Sequence, residues 1–570
     1  MHKVNERLKR EAKLMGQKTF LQYEHADRVK QLTLELVNQP SISGTKGECE
    51  MVDTIVTILQ RMDYYKSHAH HIKRVPIKGD PLQREAIVAR MEGDPDSKRG
   101  VLLLSHFDVV GVDDFGQYKS YAFTPAQLEG ELKRENEGFL DAHAQQDLYS
   151  NDYLFGRGTM DMKAGLAMQL SVLQDISETP GNKQNLILVA VPDEEMLSKG
   201  MFAAVGELHD MREAGWSFDA CICSEPNFSS YPNDHRKYIY TGSTGKLLPF
   251  IYCLGRETHV GQPLEGINAS VMAAQIAVEM EWSEVFADQA MGEKSPSPTC
   301  LRIRDIKESY DVQTPNEAYL LYNVLTLATS PDGVIHKVTQ ACETASERIY
   351  QRLVSLRSAQ THVPNGLISE PPKPRVYTLE HLYKLGIDKY GQTFQGVYQD
   401  VIRAVDIEEE DYSEKTLAIA RRLSGYFLDL APFYLVLLQP PYYPHVHLDK
   451  DTDRALLSVV RQVTQYALEQ CGEEVAEKTF FPGLSDVSYC RSSGNQKTIE
   501  SLEKHMPLFG YDYHVPLKEI ANIDIPTMNI GPFGKDAHKR TERLQLSYST
   551  ETAPLLLTLA LQKIHELHSV

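Results

Sequence analysis

The strongest constraint on this chain is a set of short, almost wholly apolar runs at residues 100–104, 185–191 and 219–223. Runs of that length without polar alternation predict strands buried on both faces, as in a parallel or mixed sheet. Amphipathic segments separate them, the order of an α/β domain. Residues 86–91 add a short strand. Residues 20–60 predict two helices split by the break Asn38-Gln39-Pro40-Ser41-Ile42-Ser43-Gly44. The expected fold class is α/β, with a mixed, largely parallel sheet flanked by helices.

A chain of 570 residues is too long for one simple core and predicts two or more domains. Near Gly242 the pattern changes to strand 246–255, helix 269–282, strands 299–306 and 318–328, and helix 333–355, which suits an inserted α+β sandwich. Residues 356–430 form a helical, charged extension that includes the Pro-rich link Glu370-Pro371-Pro372-Lys373-Pro374. A strand at 431–439 is expected to end at Pro440 and Pro441. Helix 454–470, strand 526–531 and helix 553–567 return to the first domain. The boundaries read as 1–242 with 445–570 for one domain, and 243–444 for the other.

The net charge of −19 argues against nucleic acid as a partner, since phosphate neutralisation needs clustered Lys and Arg. Eight scattered cysteines lack metal-finger spacing and read as reduced thiols. The charged N-terminal segment has no signal-peptide core, and no apolar stretch reaches the ~20 residues of a bilayer span. The expectation is a cytoplasmic protein without a membrane partner.

Polar residues of one chemical kind follow the predicted strands. His106 and Asp108 lie just past strand 100–104, two apart and so on one side of an extended chain. Glu194 and Glu195 follow strand 185–191, Glu225 follows 219–223, and His538 comes a short loop after 526–531. Asp161 follows the tight turn Gly156-Arg157-Gly158 and precedes an apolar helical run. Ligands of open α/β sheets gather at these C-terminal strand ends. Two histidines with several carboxylates are a donor set for one or two Zn²⁺ or related divalent ions, and a bridging carboxylate would hold a pair ~3.5–4 Å apart.

Ser105-His106-Phe107-Asp108-Val109-Val110, Gly156-Arg157-Gly158-Thr159-Met160-Asp161-Met162-Lys163, Asp193-Glu194-Glu195, Ser224-Glu225-Pro226 and the late His538 together resemble the dizinc aminoacylase/glutamate carboxypeptidase superfamily. That group also includes succinyl-diaminopimelate desuccinylase, acetylornithine deacetylase and peptidase T. The inserted helical stretch and overall length look closest to its arginine-utilisation branch. The resemblance implies that residues 1–242 and 445–570 are a metal-binding catalytic domain. Residues 243–444 would then be a lid or dimerisation domain with a helical insertion at about 356–430.

It also implies roles. Asp161 would bridge two ions, most often Zn, with Co or Mn as alternatives. His106 and Glu225 would complete one ion, and Glu195 and His538 the other. Asp108 would orient His106, and Glu194 would be the general base that moves a proton from the attacking water to the leaving amine. His259, in Gly255-Arg256-Glu257-Thr258-His259-Val260-Gly261, would bond the developing oxyanion from the lid. Ser485-Asp486 resembles the substrate-side loop, and residues 531–538 with Glu542 resemble the closing motif.

One departure concerns the substrate carboxylate. In place of an Asn-x-x-Pro turn the chain reads Asp311-Val312-Gln313-Thr314-Pro315, and strand 319–326 carries no arginine. Arg302 and Arg304 share a face and could substitute, although strand-edge surface charges are the plainer reading.

The leading expectation is a metal-dependent hydrolase of an amide bond in an N-acyl amino acid or short peptide. The alternatives are a dipeptidase or aminopeptidase, and a non-catalytic metal-dependent small-molecule binder of arginine metabolism. Retention of Glu194 counts against the binder. The expected partners are the small-molecule or peptide substrate and a second copy of the chain, in a homodimer through the lid domain.

Overall fold

The structure is a computed structural model of the full chain, and it describes residues 21–135, 138–227, 229–231, 234–359, 370–408, 411–491 and 496–568. The N-terminal charged segment lies outside these residues. The chain forms two compact units. The first takes in the described residues up to Ser243, then Val446–Arg491 and Lys518 onward; the second comprises Thr244–His445 with the described part of 492–517. Among the described residues no helix is long and apolar enough to cross a membrane.

The first unit is built on an eight-stranded mixed sheet. Its order is Ile72–Pro76, Glu85–Glu92, Asn185–Val191, Arg99–His106, Ser217–Cys223, Thr527–Asn529, Lys237–Tyr240 and Val475–Lys478. The second to fifth of the pairings run antiparallel, parallel, parallel and parallel, so Asn185–Val191, Arg99–His106, Ser217–Cys223 and Thr527–Asn529 make a parallel core. The apolar runs of the sequence are these central strands. Asn185–Val191 is buried along its whole length, which explains the lack of alternation. Val101 and Leu103 share a core with Leu166, Leu170 and Leu173 of helix Ala164–Glu178 and with Leu557 and Leu561 of the C-terminal helix Ala553–Glu566.

Helix Ala164–Glu178 also carries a polar staple. The buried Gln169 amide donates to the carbonyl of Leu104 at 2.9 Å and to Ser224 Oγ at 2.9 Å, and its oxygen accepts from Ser105 Oγ at 2.9 Å. One side chain therefore ties together the ends of two neighbouring strands, just where His106 and Glu225 emerge. A second, three-stranded antiparallel sheet joins Tyr153–Phe155, Arg543–Gln545 and Gly534–Lys535. It brings the loop holding His538 beside the Gly156–Asp161 turn. The sequence reading missed this sheet because its strands are two or three residues long.

The second unit has a five-stranded sheet in the order Thr299–Asp305, Glu317–Thr326, Gly245–Leu254, Phe433–Tyr443 and Arg375–Thr378. Phe250, Tyr252, Leu254, Leu321 and Leu435 pack on Leu382, Phe394, Ile402, Leu417 and Leu423. These come from helices Leu379–Tyr390, Thr393–Glu408 and Tyr412–Ser424, so the insertion covers one sheet face. Helices Ala269–Met280 and Pro331–Ser358 also lie against this sheet.

Two expectations are revised in this unit, and a third reading is filled in. Strand Phe433–Tyr443 runs through Pro440 and Pro441, which sit where its pairing with Gly245–Leu254 skips between Gln439 and Tyr443, so no ladder hydrogen bond is lost. The described residues 496–517, read as part of the first domain, cluster here instead, with Leu508 in the insertion core and Asp512 bonded to Lys415. Arg302 and Arg304 pair with Glu414 of the insertion at 3.5 and 3.3 Å, and Arg302 also donates to Tyr319 Oη at 3.2 Å.

Gly165 tests the close packing of the first unit. A Cβ there would sit 2.1 Å from the Ser224 carbonyl oxygen, so Gly165→Ala must push the helix off the strand end that leads to Glu225. The expected loss is about 1–3 kcal/mol of stability, read from denaturant unfolding.

Candidate active site

His106, Asp108, Asp161, Glu194, Glu195, Glu225 and His538 converge in the first unit, together with Asp486. Backbone geometry fixes each. Gly158 takes φ +76°, and a Cβ on it would meet Val109 Cγ1 at 2.8 Å, so only glycine makes this turn without displacing the wall of the site. Asp161 itself is extended, φ −116° and ψ 101°, just ahead of helix Ala164–Glu178. Its amide and that of Met160 donate to Glu542 Oε1 at 3.3 and 3.2 Å. The other oxygen of Glu542 accepts from the buried Arg157 at 2.7 Å. Burial and the charge of Asp161 push Glu542 up to about 7, against the pull of Arg157.

Asp161 presents one oxygen to each histidine: Oδ1 lies 3.3 Å from His106 Nε2, and Oδ2 lies 3.2 Å from His538 Nε2. Glu225 Oε2 is 3.7 Å and Glu194 Oε2 3.9 Å from His106 Nε2, while Glu195 Oε1 is 3.0 Å from His538 Nε2. The donor atoms of His106, Asp161 and Glu225 lie within 4.8 Å of one another, as do those of Asp161, Glu195 and His538. A third group, His106 with Glu194 and Glu195, meets the same limit. The first two triads share Asp161.

Asp108 does more than face His106. The ring Nδ1 of His106 is 3.0 Å from the Asp108 carbonyl oxygen and 3.5 Å from its carboxylate. The carboxylate accepts the backbone N–H groups of Glu194 and Glu195, each at 3.1 Å, and the Ser43 hydroxyl at 2.7 Å. The Pro-Ser-Gly break between the first two helices thus becomes part of the wall: Ser41 Oγ donates to the Phe107 carbonyl at 2.6 Å.

The electrostatics follow from crowding. Burial, with the neighbouring Glu225, Glu195 and Asp486, holds Glu194 well above the ordinary carboxylate range. Burial raises Glu195 and Glu225 as well. Burial alone would raise Asp161 too, but hydrogen bonds from His106 and His538 bring it below the usual value. Asp161 and Glu195 push His538 up to about 11, and the surrounding glutamates lift His106 against its burial. Asp486 is buried with neither oxygen in a hydrogen bond of ordinary geometry, and it too is raised by burial, eased by Ser198 and His106. The sequence reading placed Asp486 only in a loop, because nothing local marks it as facing these carboxylates.

So many carboxylates around two imidazoles fit divalent cations: the donors are of the right kind, and they carry negative charge that the protein only partly offsets. His259 belongs to the second unit. It is exposed, and its Nδ1 accepts the N–H of Gly261 at 3.0 Å.

Known proteins carry the same architecture. The profile of Peptidase family M20/M25/M40 matches residues 133–502. The uncharacterized protein YqjN of Bacillus subtilis (strain 168) is 34% identical over 95% of this chain and 97% of its own length. Protein RocB of the same organism is 32% identical over 93% of this chain and 94% of its own. The crystal structure of aminopeptidase PepT from Bacillus cereus ATCC 10987 superposes with a TM-score of 0.50 at 12% identity, covering 95% of this chain and 99% of that one, a likeness of fold. The chain belongs to peptidase family M20. It is a hydrolase, of a metal-dependent family.

The raised histidines set a pH dependence. His538, pushed up to about 11, keeps its proton through neutral pH in the metal-free chain, and an ion held by that imidazole would need it neutral. Metal binding through His538 would then expel a proton, and affinity would rise with pH. Between pH 6 and 8 the association constant should rise about tenfold per pH unit for each proton displaced. Calorimetric titration in buffers of different ionisation enthalpy counts those protons; a pH-independent affinity would contradict the assignment.

Proposed function

We propose that this chain hydrolyses the amide bond of an N-acyl amino acid or short peptide at a two-ion centre, most naturally zinc. The observation that carries the reading is Asp161, with one oxygen toward His106 and the other toward His538, and a glutamate flanking each imidazole. His106, Asp161 and Glu225 would hold one ion and Asp161, Glu195 and His538 the other. Bound ions would polarise the substrate carbonyl and make a water more acidic.

The remaining work falls to side chains of this chain. Glu194 is the base: it takes the proton of the attacking water on its carboxylate and returns it to the leaving nitrogen. Its buried place beside other carboxylates supports that role, because burial and like charge raise its affinity for a proton. Asp108 holds the amides on either side of the base and steadies His106. His259 donates to the developing oxyanion; the Gly261 N–H occupies its Nδ1, which leaves the proton on Nε2. The eight cysteines, all free, suit a cytoplasmic protein.

Glu194→Gln should keep both ions and the fold while turnover falls roughly 10²–10⁴-fold. The assay is a panel of N-acyl amino acids and free dipeptides with the zinc-, cobalt- or manganese-loaded protein, alongside elemental analysis. Turnover of dipeptides alone would favour the dipeptidase reading. Loss of metal in Glu194→Gln would make Glu194 a ligand.

We further propose a homodimer through the second unit. Edge strand Thr299–Asp305 leaves Leu301 and Ile303 about half exposed, and helix Ala269–Met280 exposes Val271 and Val278, followed by Trp282 at 82% exposure. An unpaired strand edge with apolar residues beside it is a pairing surface. Ile303→Lys should convert a dimer to a monomer in sedimentation analysis. If His259 acts across the dimer, mixing inactive His259→Ala and Glu194→Ala chains under subunit exchange should restore activity in hybrids; a hybrid that forms and stays inactive puts His259 in its own chain's site.

A further inference from the structure

The turn that carries Glu194 and Glu195 begins at Asp193, a non-glycine residue held at φ +71°. A left-handed aspartate is uncommon and persists only where its surroundings over-determine it. Those surroundings are a buried ionic cluster outside the candidate metal-binding residues. Arg84, at the start of strand Glu85–Glu92, is 5% exposed. Its Nη1 donates to Asp193 Oδ1 at 2.7 Å and to Glu48 Oε2 at 3.0 Å. Its Nη2 and Nε donate to the two oxygens of Asp80 at 2.8 and 3.1 Å.

Glu48, fully buried near the start of helix Gly47–Arg61, completes the cluster. Its Oε1 accepts the N–H of Asp193 at 3.0 Å, and its Oε2 accepts the N–H of Gly44 at 2.7 Å. Asp193 Oδ2 accepts the N–H of Lys199 at 3.1 Å, and its carbonyl accepts Ser198 N–H at 2.7 Å. Three consecutive amides, of Asp193, Glu194 and Glu195, are therefore held by two buried carboxylates, Glu48 for the first and Asp108 for the other two. Glu48, Asp193 and Asp80 would repel one another in this space without a cation among them, and one guanidinium with its planar fork reaches all three.

We infer that Arg84, acting through Glu48 and Asp193, is a positioning device for the catalytic turn, holding the main chain of residues 193–195 so that Glu194 and Glu195 project from fixed points. The inference rests on the roles proposed above for Glu194 and Glu195. Its reach is local: it acts through the backbone that Glu194 and Glu195 share with Asp193.

Three variants of the full chain test it: Arg84→Met, Arg84→Lys, and Glu48→Gln, which keeps side-chain volume should Arg84→Met fail to fold. The first readout is amide hydrogen exchange of the metal-free protein. In Arg84→Met the amides of residues 193–195 should exchange at least tenfold faster, while strands Arg99–His106 and Ser217–Cys223 keep their protection. Arg84→Lys should fall between, since an ammonium supplies charge without the fork. Glu48→Gln should speed the Asp193 amide most.

The second readout is cobalt: Arg84→Met should bind it at least tenfold more weakly and with an altered visible spectrum. The third is turnover, with kcat lowered at least tenfold and KM within about twofold. Unchanged exchange at 193–195 would overturn the inference, and so would protection lost evenly across the sheet, which is the mark of a structural role alone. A wild-type chain that neither binds cobalt nor cleaves amides would defeat the functional reading instead, and exchange would still decide whether Arg84 holds the turn.

Discussion

Asp108, Asp161, Glu194, Glu195, Glu225 and Asp486 lie largely buried around two imidazoles, and like charge at this density stays together only where countercharge or protons offset it. In the protein alone the offset comes from the raised pKa values of His106, His538 and the glutamates. Divalent ions would supply it directly, and would displace those protons. The rest of the first unit can be understood as the framework that forces these carboxylates into proximity against their repulsion.

That framework works by fixing main chain before side chain. The four parallel strands end at one edge, Gln169 ties the ends of two of them, and Glu542 with Arg157 pins the amides of Met160 and Asp161. Asp108 and Glu48 pin the next set, at residues 193–195. Each pin is a buried carboxylate receiving backbone N–H groups, a bond strong enough to hold a loop in an unusual conformation. The candidate ligands thus project from an already rigid backbone, the arrangement that a metal site or a proton-transfer site requires.

The second unit solves a different problem. A five-stranded sheet has two faces to cover, and here the inserted helices cover one of them with an aromatic and leucine-rich core. Arg302 and Arg304 are drawn into this covering through Glu414. Edge strand Thr299–Asp305 keeps Leu301 and Ile303 about half exposed.

The sequence by itself determined the central strands and the residues that follow them. Burial on both faces writes itself as an unbroken apolar run, and a residue just past such a run must emerge at the strand end, so His106, Glu194, Glu195 and Glu225 were legible locally. Asp161 was legible from its flanking glycines. Tertiary structure alone decided which of these face one another, because contact between Asp161 and His538 spans several hundred residues and depends on a sheet whose strands are too short to leave a periodic trace. It also decided that Asp486 joins the carboxylates, that residues 496–517 belong to the second unit, and that Pro440 and Pro441 are tolerated within a strand. Arg84 and Glu48 carry no signal in sequence, and Asp193 shows only as a neighbour of the two glutamates, for the same physical reason: an ion cluster is set by distances in space, and its members come from three separate elements.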